Sequence, residues 1–135
     1  MVERERALVV GASSGIGEAL ARELAENGYA VGLTARRRDR LEAIGRDLPT
    51  QAYVARMDVT DLDAARETFH EVCDAMDGVD VVVLNAGVAV ENPELEWEPE
   101  RDTVDTNVRG FTALATAAMD RFESQGHGHL VGVSS

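Results

Sequence analysis

Seven residues constrain this chain more than any others: Gly11-Ala12-Ser13-Ser14-Gly15-Ile16-Gly17, set between an apolar run and an amphipathic one. Ala7-Leu8-Val9-Val10 has the continuous apolar character of a strand buried on both faces. After the glycines, Ile16, Leu20 and Leu24 recur at helical spacing and read as the inward face of a helix that stops at Asn27-Gly28. A tight strand-to-helix turn needs residues without Cβ. Such a turn also lets a phosphate reach bare backbone at a helix N-terminus, where free N–H groups and the dipole favour an anion. It is not the lysine-bearing loop that grips nucleoside triphosphates, because the chain contains no lysine.

Strand and helix signals alternate through the rest of the chain. Ala30 to Ala35 reads as a second strand, Asp39 to about Asp47 as a short helix, and Ala52 to Arg56 as a weaker third strand. Thr60 is expected to cap a long helix whose inward stripe is Leu62, Ala65, Phe69, Val72, Cys73 and Met76, ended by Gly78. Val79 to Leu84 is the clearest buried strand. An acidic loop, Glu91 to Glu100, then leads to a helix with the stripe Val104, Val108, Phe111, Ala115, Ala118 and Phe122. Gly126-His127-Gly128 breaks that helix, and His129 to Val133 is a fifth strand. Right-handed crossovers between such strands give a single α/β domain over residues 1–135. This is a Rossmann-type doubly wound parallel sheet in the order 3-2-1-4-5, truncated after the fifth strand. A nucleotide is expected over the carboxyl ends of the first and fourth strands.

The spacing Gly-x-x-x-Gly-x-Gly resembles that of the classical short-chain dehydrogenase/reductase family. Four further segments follow in that family's order: Asp58-Val59, Asn85-Ala86-Gly87, Asn107-Val108-Arg109-Gly110, and His129 to Ser135. The resemblance implies dinucleotide binding through Gly11, Ser13, Ser14, Gly15, Ile16, Gly17, Asp58, Val59, Asn85, Ala86 and Gly87. It implies catalytic roles for Asn107 and Ser135. It also implies hydride transfer with a small carbonyl or alcohol substrate. From the residues alone, Asn107 falls at helical spacing between Val104 and Phe111, so its amide needs a specific hydrogen-bond partner. Asn85-Ala86-Gly87 also reads as a strand-ending turn, Asp58 as a residue preceding a helix cap, and Asn107 as a packing residue.

Cofactor choice is legible after the second strand. An acid there holds a ribose 2′-hydroxyl and repels a 2′-phosphate. By the family resemblance, Ala35 takes the acid's position, and Arg36, Arg37 and Arg38 follow it. A guanidinium grips a phosphate by two parallel bonds, so NADP(H) is expected over NAD(H), with Arg36 and Arg37 as the binding arginines. The arginines also read as solvated helix-start residues.

The family's chemistry further needs a Tyr-x-x-x-Lys. Tyr29 and Tyr53 are followed four residues later by Leu33 and Met57. Two classes of function therefore stay open. One is an oxidoreductase present as a fragment inactive alone. The other is a non-catalytic NADP-binding module or split-gene subunit. A methyltransferase-like domain leaves Asn85-Ala86-Gly87 and Ser134-Ser135 unexplained.

Composition narrows the partners. Net charge is −12, from 25 acidic and 13 basic residues, which argues against nucleic acid and anionic membranes. An acidic, lysine-free surface fits a high-salt, halophilic cytoplasm, and a GC-rich genome also depletes lysine. The opening residues lack the apolar stretch of a signal peptide, so a cytoplasmic location is expected. Cys73, the single cysteine, reads as a small buried hydrophobe. His127 and His129 are flanked by glycines with no third ligand nearby, so no metal is assigned. Trp97 reads as a local packing anchor. With the fifth strand as an open edge, a homo-oligomer is expected.

Overall fold

The computed structural model describes residues 4–134. Met1, Val2, Glu3 and the catalytic candidate Ser135 lie outside the described residues. Five strands, β1 (Arg6–Val10), β2 (Ala30–Ala35), β3 (Ala52–Arg56), β4 (Val81–Leu84) and β5 (His129–Gly132), pair in parallel in the order β3-β2-β1-β4-β5. This is the order expected from the sequence. From β1 the chain winds one way through β2 to β3, then returns to β1's other side for β4 and β5. Val10 pairs with Thr34 on one side and Leu84 on the other, so the carboxyl ends of β1, β2 and β4 finish level. A crevice opens at that reversal.

Side-chain alternation along β1 feeds two cores. Leu8 and Val10 face Phe69, Cys73, Val82, Leu114 and Phe122. Val9 faces Ala21, Ala25, Val31, Leu33, Leu41 and Val83. Cys73 is fully buried, and burial pushes its thiol up to about 12, so it packs as a hydrophobe. Among the described residues no helix is long and apolar enough to cross a membrane.

Three helices depart from the expected pattern. Helix α1 (Gly15–Glu26) buries Gly17, Ala21 and Ala25, while Ile16 is 61% exposed and Leu20 and Leu24 are half-buried. The tight turn brings α1 so close to the sheet that small residues form the contact, and the large apolar ones are displaced to its flanks. The short helix α2 spans Arg38–Asp47. Helix α3 (Leu62–Ala75) has Asp61, not Thr60, at its N-cap position. Thr60 is engaged instead by Asp58, whose Oδ1 accepts its N–H at 3.0 Å and its hydroxyl at 2.6 Å.

The acidic loop is shorter than expected, because helix α4 (Trp97–Val104) begins inside it. Pro99 stands in its first turn, where a missing N–H breaks no intrahelical bond. A π-helical segment, Asp105–Gly110, then runs directly into α5 (Phe111–Gln125). A π turn carries an extra residue and shifts the helical phase. Hence Leu114, Ala117, Ala118 and Phe122 are buried on α5, while Val104, Val108 and Phe111 of the expected stripe are exposed. Trp97, expected as a packing anchor, is 69% exposed. Gly126, left-handed at φ 83°, ends α5 by donating to the Phe122 carbonyl.

Candidate functional site

At the carboxyl ends of the strands lies a cleft of about 290 Å³. Its walls carry Gly11, Ser13, Ser14, Arg36, Arg37 and Asp58, and also Val59, Asn85, Ala86 and Gly87. It gathers ten of the expected binding residues from four separate connections. Val10, Ala35, Met57, Val88 and Thr106 complete the lining, and of these Met57, Val88 and Thr106 carried no sequence signal. A larger depression, about 930 Å³, lies at the opposite ends of the strands beside Arg6, His70 and Arg121, and holds none of the candidate residues.

The glycines explain the shape of the turn. Gly11 adopts φ +86°, and a Cβ there would lie 2.7 Å from the Ala86 nitrogen. The left-handed backbone and the close approach both exclude a side chain. A Cβ on Gly17 would overlap the Gly11 carbonyl oxygen, whereas at Gly15 nothing lies within 4 Å. The turn is therefore packed inward and bare outward. Ser14 makes no side-chain cap to α1 among the described residues, and the first intrahelical bond runs from the Glu18 N–H to the Ser14 carbonyl at 3.3 Å. The N–H groups of Gly15, Ile16 and Gly17 are thus left without helical partners at the positive end of the helix.

The end of β4 locks to this turn. Asn85 donates its side-chain amide to the Gly11 carbonyl at 3.1 Å, and its backbone N–H to the Val10 carbonyl at 2.9 Å. Asn107 lies in the π segment. Its Oδ1 accepts the Val88 N–H at 2.8 Å, and its Nδ2 donates to the Val88 carbonyl at 2.7 Å. The amide has the specific partner expected of it, although Asn107 is exposed rather than buried. It borders the cleft through Val88 without lining it.

Charge divides the arginine run. Arg37 pairs with Asp39, and Arg38 pairs with Glu42 one helical turn on. Arg36 has no acidic partner within 4 Å among the described residues and stands exposed at the cleft wall. Across from it, the Thr60 hydroxyl and then the Thr60 N–H hold the Asp58 carboxyl below its ordinary range. Burial opposes them, and the Arg36 and Arg56 guanidiniums add to the lowering. Arg40 was missed in the sequence. Its Nε donates to the Ser13 carbonyl at 2.9 Å. The signal was available, since Arg40 falls three residues after Arg37 and so on the same helical face. His127 pairs through Nε2 with Asp80 at 2.9 Å, at the far end of the sheet.

This geometry fits a dinucleotide. Bare backbone donors at a helix N-terminus suit a pyrophosphate. The family model for the short chain dehydrogenase matches residues 5–135. An uncharacterized oxidoreductase of Myxococcus xanthus is 42% identical over 96% of this chain and 53% of its own length. An NADP-dependent 3-hydroxy acid dehydrogenase of Escherichia coli is 30% identical over 95% of this chain and 53% of its own. The solved alcohol dehydrogenase of Thermococcus sibiricus, complexed with 5-hydroxy-NADP, superposes with a TM-score of 0.86. It is 35% identical, over 96% of this chain and 57% of that one. The chain spans about half the length of the curated relatives it matches. The match of the family model over residues 5–135, together with the parallel sheet and the cleft at its reversal point, makes this chain a member of the short-chain dehydrogenase family.

Proposed function

We propose that this chain supplies the dinucleotide-binding part of an NADP(H)-dependent oxidoreductase that interconverts carbonyl and alcohol groups. One observation carries the cofactor preference. Arg36 is at the cleft wall without an acidic partner among the described residues, and the position before it holds Ala35. When bound, the nicotinamide supplies or accepts the hydride. The α1 N–H groups, Ser13 and Ser14 bind the phosphates. Asp58 faces the adenine, and Asn85 holds the floor of the cleft to the Gly-rich turn. Asn107 orients the Val88 segment at the substrate side, and Ser135 orients the substrate oxygen. The dehydrogenase of Escherichia coli and the archaeal structure, named for NADP and for an NADP derivative, lend this reading support.

By itself this chain turns over no carbonyl substrate. Proton transfer to the substrate oxygen needs an acid of suitable pKa in the cleft. The chain has no lysine to lower a tyrosine. Tyr29 is displaced upward, first by its hydrogen bond to Glu5, and it precedes β2 at the opposite end of the sheet. Exposed apolar side chains along α4 to α5, among them Val104, Val108, Phe111 and Met119, support association of copies through that face.

Titration calorimetry with NADPH and NADH tests the cofactor reading. NADPH is expected to bind more tightly, and Arg36→Ala to cost about tenfold or more in NADPH affinity, as loss of a charge-assisted bidentate contact does. Equal affinities in the parent chain, or no loss on substitution, would overturn it. Turnover above buffer background with NADPH and a panel of ketones, aldehydes and quinones would overturn the expectation of inactivity.

A further inference from the structure

The second contact to the Gly-rich turn comes from α2, not from the sheet. The start of the turn is tied to β2, since the N–H groups of Gly11 and Ala12 both reach the Thr34 carbonyl, at 2.8 and 3.1 Å. Its middle is tied by Arg40, whose Nε donates to the Ser13 carbonyl at 2.9 Å. The outer Nη2 lies 3.9 Å from Glu18 on α1, so the guanidinium is held from two sides. In a trans peptide the carbonyl and the following N–H point in opposite directions. Fixing the Ser13 carbonyl toward α2 therefore fixes the Ser14 N–H away from it. It also fixes the entry to α1, whose free N–H groups follow directly. Ser14 itself makes no side-chain cap that could do this work.

We propose that Arg40 is a positioning residue for the dinucleotide phosphates, acting through the Ser13 carbonyl rather than by touching the ligand. This inference rests on the dinucleotide reading of the cleft but not on the preference for NADP(H). With Gly11 and Gly15 both at positive φ the turn has glycine's conformational freedom, and pinning Ser13 between them removes conformations that a ligand would otherwise have to select. The positive charge of Arg40 offers a rival explanation, so the variants must separate donor from charge. Glutamine has its amide nitrogen the same number of bonds from the backbone as arginine has Nε. Arg40→Gln thus keeps a donor and removes the charge. Arg40→Met keeps the length and removes both.

The experiment is calorimetric titration of NADH and NADPH into this chain and its two variants, with thermal melts on each. Arg40 is 44% exposed, so unchanged melting temperatures are expected. Arg40→Met should weaken both ligands by about threefold to tenfold, the range of one hydrogen bond, and Arg40→Gln should bind like the parent. Met and Gln variants equally weak would assign the effect to charge and overturn the proposal, as would parent-like binding by Arg40→Met. If the parent binds NADH and NADPH alike, the cofactor preference falls while the NADH titrations still decide the role of Arg40. A parent that binds neither overturns both.

Discussion

Gly17→Ala should destabilise this chain, although glycine-to-alanine in a helix ordinarily does the reverse. Gly17 is the third residue of α1 and lacks the positive φ that would favour glycine for its own sake. On propensity alone, alanine gains up to about 1 kcal/mol. The added methyl, however, would overlap the Gly11 carbonyl oxygen and stand 2.7 Å from Asn85 Nδ2 and 2.9 Å from the Gly11 carbonyl carbon. Comfortable contacts between such atoms are about 3.5–4.0 Å. These neighbours are backbone and a hydrogen-bonded amide, so relief requires α1 to move off the turn. Overpacking of this kind costs about 1–3 kcal/mol, and breaking the Asn85 bond to Gly11 costs about 1 kcal/mol more. The net expectation is a loss of about 1–3 kcal/mol. Urea denaturation measures it. Gly45→Ala in α2 is the control, because its methyl would meet Ala52 Cβ at 3.2 Å and Val54 at 3.6 Å, and it should change stability by less than about 1 kcal/mol. Gly17→Ala as stable as the parent, at unchanged m-value, would refute the close-approach argument.

Asp80 is pushed up by burial, but hydrogen bonds from His127 and Arg6 outweigh this and leave its carboxyl below the ordinary range. Its folded value is thus depressed, so it adds stability above the ordinary carboxylate range, about pH 4, that is lost as pH falls through the folded value. Asp80→Asn should lower stability at neutral pH and flatten the acid limb of a melting-temperature profile; an unchanged acid limb would exclude Asp80 as its source. Thr34 is fully buried, and its hydroxyl has no hydrogen-bond partner among the described residues. Thr34→Val should therefore raise stability by about 1 kcal/mol in urea melts, and a loss would show that the hydroxyl is satisfied. With a net charge of −12, the melting temperature should rise between dilute buffer and molar KCl, and a flat or falling trend would count against charge repulsion as the limiting term.

The sheet was legible because its strands are short apolar runs punctuated by glycine, and because parallel strands must be joined by helical crossovers. The Gly-rich turn, Arg36 and Asn85 were legible because each occupies a fixed offset from a strand end. What escaped the sequence depends on contacts between distant elements. Ile16 matches the helical period as well as Ala21 does, and only the close approach of α1 to the turn decides which faces inward. The π segment hides in a periodic pattern, because one extra residue shifts the phase without breaking it. Thr60 is a good capping residue, but Asp58 competes for it two positions earlier. Arg40 was missed, since its partner is a carbonyl 27 residues away.

The bond from Asn85 to Gly11 spans 74 residues of chain. A segment running from β1 through α1 therefore holds only part of the phosphate turn, however favourable its local sequence. The floor arrives with β4, after three crossovers have been laid down and the entropy of that long closure has been met. Dinucleotide binding during refolding should consequently lag the appearance of helix and report the joining of the two halves of the sheet. A bound cofactor would then act on the folding equilibrium as a clasp across its most distant contact.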